Sequence, residues 1–321
     1  MRLCLSLLLI AAAALPLAAV AQRPAIDRQV AVTVDDLPSA ALVSPEDPPN
    51  YCDAALHQDL TQRLLAQFEG IPVTGFVAEG AAICDDLRVT LLPDLLRAWL
   101  DAGHDLGNHT FSHRAFENVG RTAFEIDVVR GEATTAYVMA ERGQQARYFR
   151  YPFLHAPADA ADKIAFERFL DERGYRVAPV TFDGGEWIYA SAYSKALRRG
   201  DTEAAERVAA DYLRYMSDVF AFNEAFSRDL LGRELPQILL LHANPLNADH
   251  FDDLKALLEA RGYRFVSLDT AMADEAYDRP DPYLGERGLS WLQRLAVGIE
   301  GKTRPEPSAP QWVRDAAGLA R

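Results

Sequence analysis

From residue 30 to residue 268, short apolar runs alternate with stretches of helical periodicity. VAVTV (30–34), IPVTGFV (71–77), ARYFRYPF (146–153), YRVAPVTFD (175–183), QILLLH (237–242) and YRFVSL (263–268) have the length and the β-branched or aromatic content of strands. HDLGNH (104–109) reads as a short strand that leaves into a turn. Between them, residues 54–68, 91–103, 122–143, 159–174 and 249–261 place apolar residues at helical spacing. Several of these segments end in a glycine that leads directly into the next strand, as in RGY and AGH. Such alternation predicts an α/β fold with a mainly parallel sheet or barrel under a coat of helices. Residues 191–233 read as one or two further helices, and they look like an insertion. From residue 275 the pattern weakens. The Pro-rich RPDPYLGE and RPEPSAPQ predict a loosely packed C-terminal extension over 276–321.

Folds of this class collect their functional residues at the C-terminal ends of the strands. Asp35 and Asp36, His109, Arg150, Asp183 and His242 all fall at or just past such an end. His109 and His113 stand at spacing i, i+4, which on a helical turn points both imidazoles to one side. Asp35 or Asp36 is the natural third ligand. Two histidines and one carboxylate leave positions open on a cation, which is the layout of a catalytic site rather than a closed structural one. Arg150, following an apolar strand, requires a carboxylate, and Asp35 is a candidate. The adjacent carboxylates of Asp35 and Asp36 are costly unless each has its own partner. Strand geometry, which sends neighbouring side chains to opposite faces, lets each of the two find a different partner. His104 reads as structural, His57 as a solvated helix residue, and His155 stays open as a site residue.

Composition adds a compartment and removes partners. Residues 1–21 carry Arg2, a long apolar core and the A-x-A sequence Ala19-Val20-Ala21, the pattern of a removed secretory signal. The chain is therefore expected to be exported, to the periplasm or outside the cell, with no stable membrane span once the signal is gone. Cys52 and Cys84 are then the two remaining cysteines, which in an exported protein points to one disulfide. The formal net charge is -14, and loss of Arg2 makes it one unit more negative. Nucleic acid and anionic membrane surfaces, which want clustered Lys and Arg, are poor partners for such a chain. The remaining ~300 residues suit one large domain, expected over 22–275 ahead of the extension.

Five motifs in order now carry a resemblance. TVDD (33–36), HTFSH (109–113), RYPF (150–153), DGGEW (183–187) and LLH (240–242) together resemble the polysaccharide deacetylases, the NodB-homology or carbohydrate esterase family 4 enzymes. The resemblance spans about residues 30–270. It implies a deformed (β/α) barrel and a divalent metal, usually Zn2+. It further implies that Asp36, His109 and His113 bind the metal, that Asp35 is the general base held by Arg150, and that His242 is the general acid. The backbone N–H of Phe153 would help to stabilise the oxyanion. Glu186 or Asp183 would orient or tune His242, and Trp187 and Pro152 would line the substrate groove. The expected reaction is hydrolysis of an acetyl group, most often N-acetyl, from a carbohydrate. The alternatives are hydrolysis of a small non-sugar amide on the same scaffold, or a catalytically inactive glycan-binding member. Val34, Leu154 and Glu186 depart from the family pattern, and they bear on specificity rather than on the chemistry.

Overall fold

The apolar run after residue 29 forms the strand on which the sheet is built. In the computed structural model, which describes residues 27–40 and 51–319, this is β1 (Arg28–Leu37), buried along almost its whole length. The expected signal segment lies outside the described residues. The first half continues with α1 (Ala54–Gln67), β2 (Val73–Val77), α2 (Asp85–Thr90), α3 (Leu92–Asp101) and β3 (Asp105–Asn108). Then come α4 (Phe116–Val119), α5 (Arg121–Arg130), α6 (Ala133–Ala140), β4 (Tyr148–Phe149), α7 (Ala160–Glu172) and β5 (Arg176–Val177). The second half holds α8 (Glu186–Arg198), α9 (Thr202–Leu231), β6 (Gln237–His242), α10 (Pro245–Ala260) and β7 (Tyr263–Phe265). Three short helices follow: α11 (Leu268–Met272), α12 (Trp291–Ala296) and α13 (Gln311–Ala316).

All strand pairs are parallel, in the order β5-β4-β3-β2-β1-β6, with β7 beside the start of β1. The run 175–183 does not form one strand. Its first part, β5, pairs with β4, whereas Phe182 bridges to Leu239 on the opposite edge of the sheet. Pro179, which has no N–H to give to a ladder, separates the two parts. One kinked segment thus touches both sheet edges and curls the sheet into a deformed (β/α) barrel. The long helix expected over 122–143 is also broken, at Gly131. A Cβ there would lie 2.3 Å from the backbone carbon of Thr110, so the glycine admits the loop that follows β3.

The helices over 191–233, expected as an insertion, pack into the barrel itself. Tyr189, Tyr193, Tyr212, Met216 and Phe220 of α8 and α9 are buried in the main core with Val32, Val34 and Leu241 of the barrel. They form the crossover that a parallel connection to β6 requires. The extension is not loose. Trp291, Leu292 and Ala296 of α12 pack on Ala31 and Ile238, and Val313 of α13 joins the main core. Apolar side chains spaced between the prolines supply this packing, which the Pro-rich composition obscures. Cys52 and Cys84 are joined in a disulfide with Cα atoms 5.1 Å apart. Among the described residues no helix is long and apolar enough to cross a membrane.

Candidate active site

The parallel register sets the site. Asp35 is the register partner of His242 across β1 and β6, and Asn108 is the partner of both Val77 and Phe149. The ends of β1, β3, β4 and β6 therefore release Asp35-Asp36, His109, Arg150 and His242 at one rim of the barrel. There Asp35, Asp36, His109 and His242 line an open cavity of about 500 Å³, and Arg150 is buried behind Asp35.

Asp35 and Asp36 do not behave as strand neighbours. The β1–β2 register shifts between Val34 and Leu37, and Asp36 sits at φ 63°, a left-handed conformation that Asp tolerates better than most residues. This bulge cancels the alternation, so both carboxylates come within 3.6 Å of His109 Nε2. Asp35 is nevertheless anchored elsewhere. Arg150 Nη1 donates to Asp35 Oδ1 at 2.8 Å and to Thr33 Oγ1 at 2.7 Å. Arg150 Nε donates to the carbonyl of Ala178, and the guanidinium lies over the Phe76 ring at 4.2 Å. Arg150 is fully buried. Burial pushes it down from its ordinary pKa, and Asp35 opposes that shift.

His109 and His113 meet as expected, but without a helix. Residues 109–113 form a loop in which Thr110 and His113 have φ of 67° and 49°. Asn108 stabilises the loop by accepting from Thr110 N, and Asp127 on α5 accepts from both the backbone N–H and the hydroxyl of Ser112. Packing against Gly131 holds it from behind. The two rings lie 4.8 Å apart.

The Nδ1–H of His109 donates to the Arg150 carbonyl at 2.9 Å, because a carbonyl can only accept. Its Nε2 lone pair therefore points at Asp36. Burial, with His113 next in effect, holds the imidazole neutral, its pKa down at about 3. Asp36 Oδ1 is buried, 3.2 Å from His113 Nε2, yet makes no hydrogen bond. Asp36, His109 and His113 each bring a ligand atom, all within 4.8 Å of one another. An orphaned carboxylate oxygen facing imidazole nitrogens fits a divalent cation, which would satisfy all of them at once.

His242 takes Glu186 rather than Asp183 as its partner. Its Nδ1 lies 2.7 Å from Glu186 Oε2, and the other carboxylate oxygen accepts from the side chains of Asn244 and Asn247. Glu186 begins α8 and is buried. Burial works against a charged His242. Glu186 outweighs it by hydrogen bond and charge, with Asp36 and Asp35 adding to it, and raises the pKa to about 9. Asp183 instead accepts from Gly185 N, and burial raises its carboxyl.

Phe153 and Trp187, both about half exposed, stand at the rim of the cavity. Pro152 is buried and does not line it. The turn 152–154 carries Phe153 at φ 58° and directs Phe153, rather than the proline, into the cavity. His155 reaches the cavity and pairs with Glu117 at 2.5 Å. His104 is buried beside Phe68 and Trp99, as a structural residue. His57 is buried too, contrary to expectation, because Ser39 and the Tyr51 carbonyl draw it inward.

Sequence reasoning passed over Thr33, Asn244, Asn247 and Gly131. Thr33 had a signal, a hydroxyl inside an otherwise apolar strand. The Asn244-Pro245 pair had another, as an N-cap followed by Pro at the first helical position, and Asn244 does cap α10.

The family model described as polysaccharide deacetylase matches residues 22–166. No curated protein matches the chain in sequence. Among solved structures, the polysaccharide deacetylase Bc1974 from Bacillus cereus is similar at 16% identity and a TM-score of 0.50. The likeness covers 75% of this chain and 91% of that one. A family 4 carbohydrate esterase from Streptomyces lividans, in complex with acetate, has 19% identity and a TM-score of 0.46 over 77% of this chain and 97% of its own. A CE4 family pseudoenzyme from Bacillus anthracis has 12% identity and a TM-score of 0.48 over 78% of this chain and 66% of its own. The family model thus matches the stretch that carries β1 to β4, and the barrel built around that stretch has the same fold as the Bc1974 deacetylase.

Proposed function

We propose that the protein is a metal-dependent hydrolase that removes acetyl groups, N-acetyl foremost, from a carbohydrate polymer or oligomer. The observation that carries this reading is the register pairing of Asp35 with His242 at the cavity that also holds a three-donor cluster. Each of the two bonds to its own buried partner, Arg150 for Asp35 and Glu186 for His242. A member that only bound glycan would need neither pair.

Asp36, His109 and His113 would hold the cation, Zn2+ by the N/N/O donor set. Bound there, it would polarise the acetyl carbonyl and make water a better nucleophile. Asp35 Oδ1 is engaged by Arg150, which leaves Oδ2 to take the proton of the attacking water. Water oxygen bonds to the acetyl carbon, and the carbon–nitrogen bond then breaks. His242 remains protonated at neutral pH because Glu186 holds its pKa up, so its Nε2–H is available to the departing amine nitrogen. The products are acetate and a free amine. The backbone N–H of Phe153 would serve the oxyanion, and the exposed faces of Phe153 and Trp187 suit stacking on sugar rings.

We read the chain as exported. This rests on the secretory pattern of residues 1–21 and on the Cys52–Cys84 disulfide, which fits an oxidising compartment. Acetate release from chitin oligomers and from peptidoglycan, measured with added Zn2+ and with chelator, tests the function. Release that requires the metal supports it. No metal-dependent release from any acetylated sugar overturns it.

A further inference from the structure

The turn that presents Phe153 is held in an unusual conformation from outside the barrel. Phe153 and Leu154 are consecutive non-glycine residues at φ 58° and 56°. Such pairs are disfavoured unless their surroundings impose them. The surroundings here come from the C-terminal extension. Arg294 on α12 donates through Nη2 to the Leu154 carbonyl, through Nε to the Leu289 carbonyl and through Nη1 to Asp281. Gly285 O accepts from Ala156 N at 3.1 Å. At Gly288, which lines the cavity, a Cβ would lie 2.4 Å from the Phe153 carbonyl oxygen, so only glycine allows the close approach. The strap is itself pinned to the barrel. Lys163 on α7 bonds the carbonyls of Asp281 and Tyr283 and the Asp281 carboxylate, and Trp291 N donates to the Val180 carbonyl.

We infer that residues 280–296 brace the Phe153 turn, and that Arg294 is the positioning residue that keeps the Phe153 N–H aimed at the developing oxyanion. This rests on the deacetylase reading above for its chemistry, but the brace itself can be observed without activity. Arg294 touches neither substrate nor cation; it acts through the Leu154 carbonyl. Loss of its three bonds frees the turn to leave the left-handed region, which misplaces one oxyanion donor.

The test uses the full chain and two variants, Arg294→Ala and Gly288→Ala. Gly288 is exposed, so its variant keeps the barrel even if loss of the buried Arg294 does not. Amide hydrogen exchange at Leu154, His155 and Ala156 is expected to quicken about tenfold or more, with exchange in β1 unchanged. Deacetylation should fall in kcat by about tenfold or more with KM within about twofold, because a donor used mainly in the transition state is lost. Metal content should stay at the wild-type value, which a general loosening of the site would not preserve. Exchange as slow as in the wild type overturns the inference whatever the activity. Faster exchange with an unchanged kcat overturns it as well. Absence of acetate release from the unaltered protein instead defeats the deacetylase reading and leaves exchange to decide whether the brace exists.

Discussion

Asp35 and His242 are direct register partners across β1 and β6, and each is held from behind by a buried side chain: Arg150 for one, Glu186 for the other. Adjacent strands of one sheet thus deliver a carboxylate paired with a guanidinium and an imidazole paired with a carboxylate to the same rim. Asp35→Asn removes the proposed proton acceptor but leaves the three-donor cluster intact. Acetate release is expected to fall by about 10²–10⁴-fold with metal content unchanged, as read by product assay and metal analysis of the same preparation. Full activity in this variant would show that another group takes the proton.

Glu186 sets the pH behaviour of His242. In the folded protein the His242 pKa stands at about 9, above the ordinary 6.5. The bond to Glu186 therefore contributes stability that is fully present below about 6.5 and is lost as pH rises through about 9. Glu186→Gln lets burial dominate and lowers the pKa. The alkaline limb of the kcat profile should move to lower pH, and the fall in Tm between pH 6.5 and 9 should flatten. A limb that stays in place would remove Glu186 from this role.

Arg150 has no substitute of the same shape. Its guanidinium meets Asp35, Thr33, the Ala178 carbonyl and the Phe76 ring while fully buried. Arg150→Met leaves Asp35 buried and unpaired, at a cost of about 3–5 kcal/mol. Lysine keeps the charge but cannot reproduce the fork. Urea unfolding should place Arg150→Met well below the wild type and Arg150→Lys between them. Near-equal midpoints for all three would show that the pair contributes little.

Metal binding should depend on all three members of the cluster. His113→Ala removes one donor and is expected to reduce bound Zn2+ well below the wild-type content, with far-ultraviolet circular dichroism unchanged. Chelator should abolish acetate release from the wild type, and Zn2+ should restore it. Activity that survives exhaustive chelation would argue for chemistry without a metal.

Gly131 gives an indirect test of the same loop. An alanine there puts Cβ against the Thr110 backbone, at about 1–3 kcal/mol for a close-packed contact. The His109–His113 loop must shift, so metal affinity should weaken by about 10–100-fold, in the range seen when the supports of ligands are removed. Metal titration of Gly131→Ala measures this directly. An unchanged affinity would mean that the loop is held by Asn108 and Asp127 alone.

Much of this was legible along the chain. The apolar runs marked β1, β2, β3, β4 and β6. The polar residues just past them are the ones that gather at the cavity. Helix stops at glycine were readable as well, because a C-terminal glycine follows from backbone sterics. What misled was composition. Alanine- and arginine-rich helices gave no sign of how deeply they pack, and prolines looked like a loose tail. Yet Tyr212 and Phe220, and Trp291 and Leu292, bury both segments in the cores.

By itself the sequence determined which residue types stand at which strand ends, since periodicity and turn chemistry are local properties. Tertiary structure alone decided how they converge. The spacing of His109 and His113 works through a loop and not a helix, and Asp36 turns beside Asp35 because a bulge breaks the alternation. Glu186, not Asp183, reaches His242 because α8 begins there. Left-handed backbone at Thr110 and Phe153 leaves no mark in the sequence, and at Asp36 and His113 only the weak one of a tolerant residue type, for glycine is the residue that advertises that conformation. It is imposed by partners far along the chain: Gly131 behind the histidine loop, and Arg294 and Gly288 behind the Phe153 turn. Those distances exist only after the barrel has closed through residues 176–182 and the extension has folded back across it.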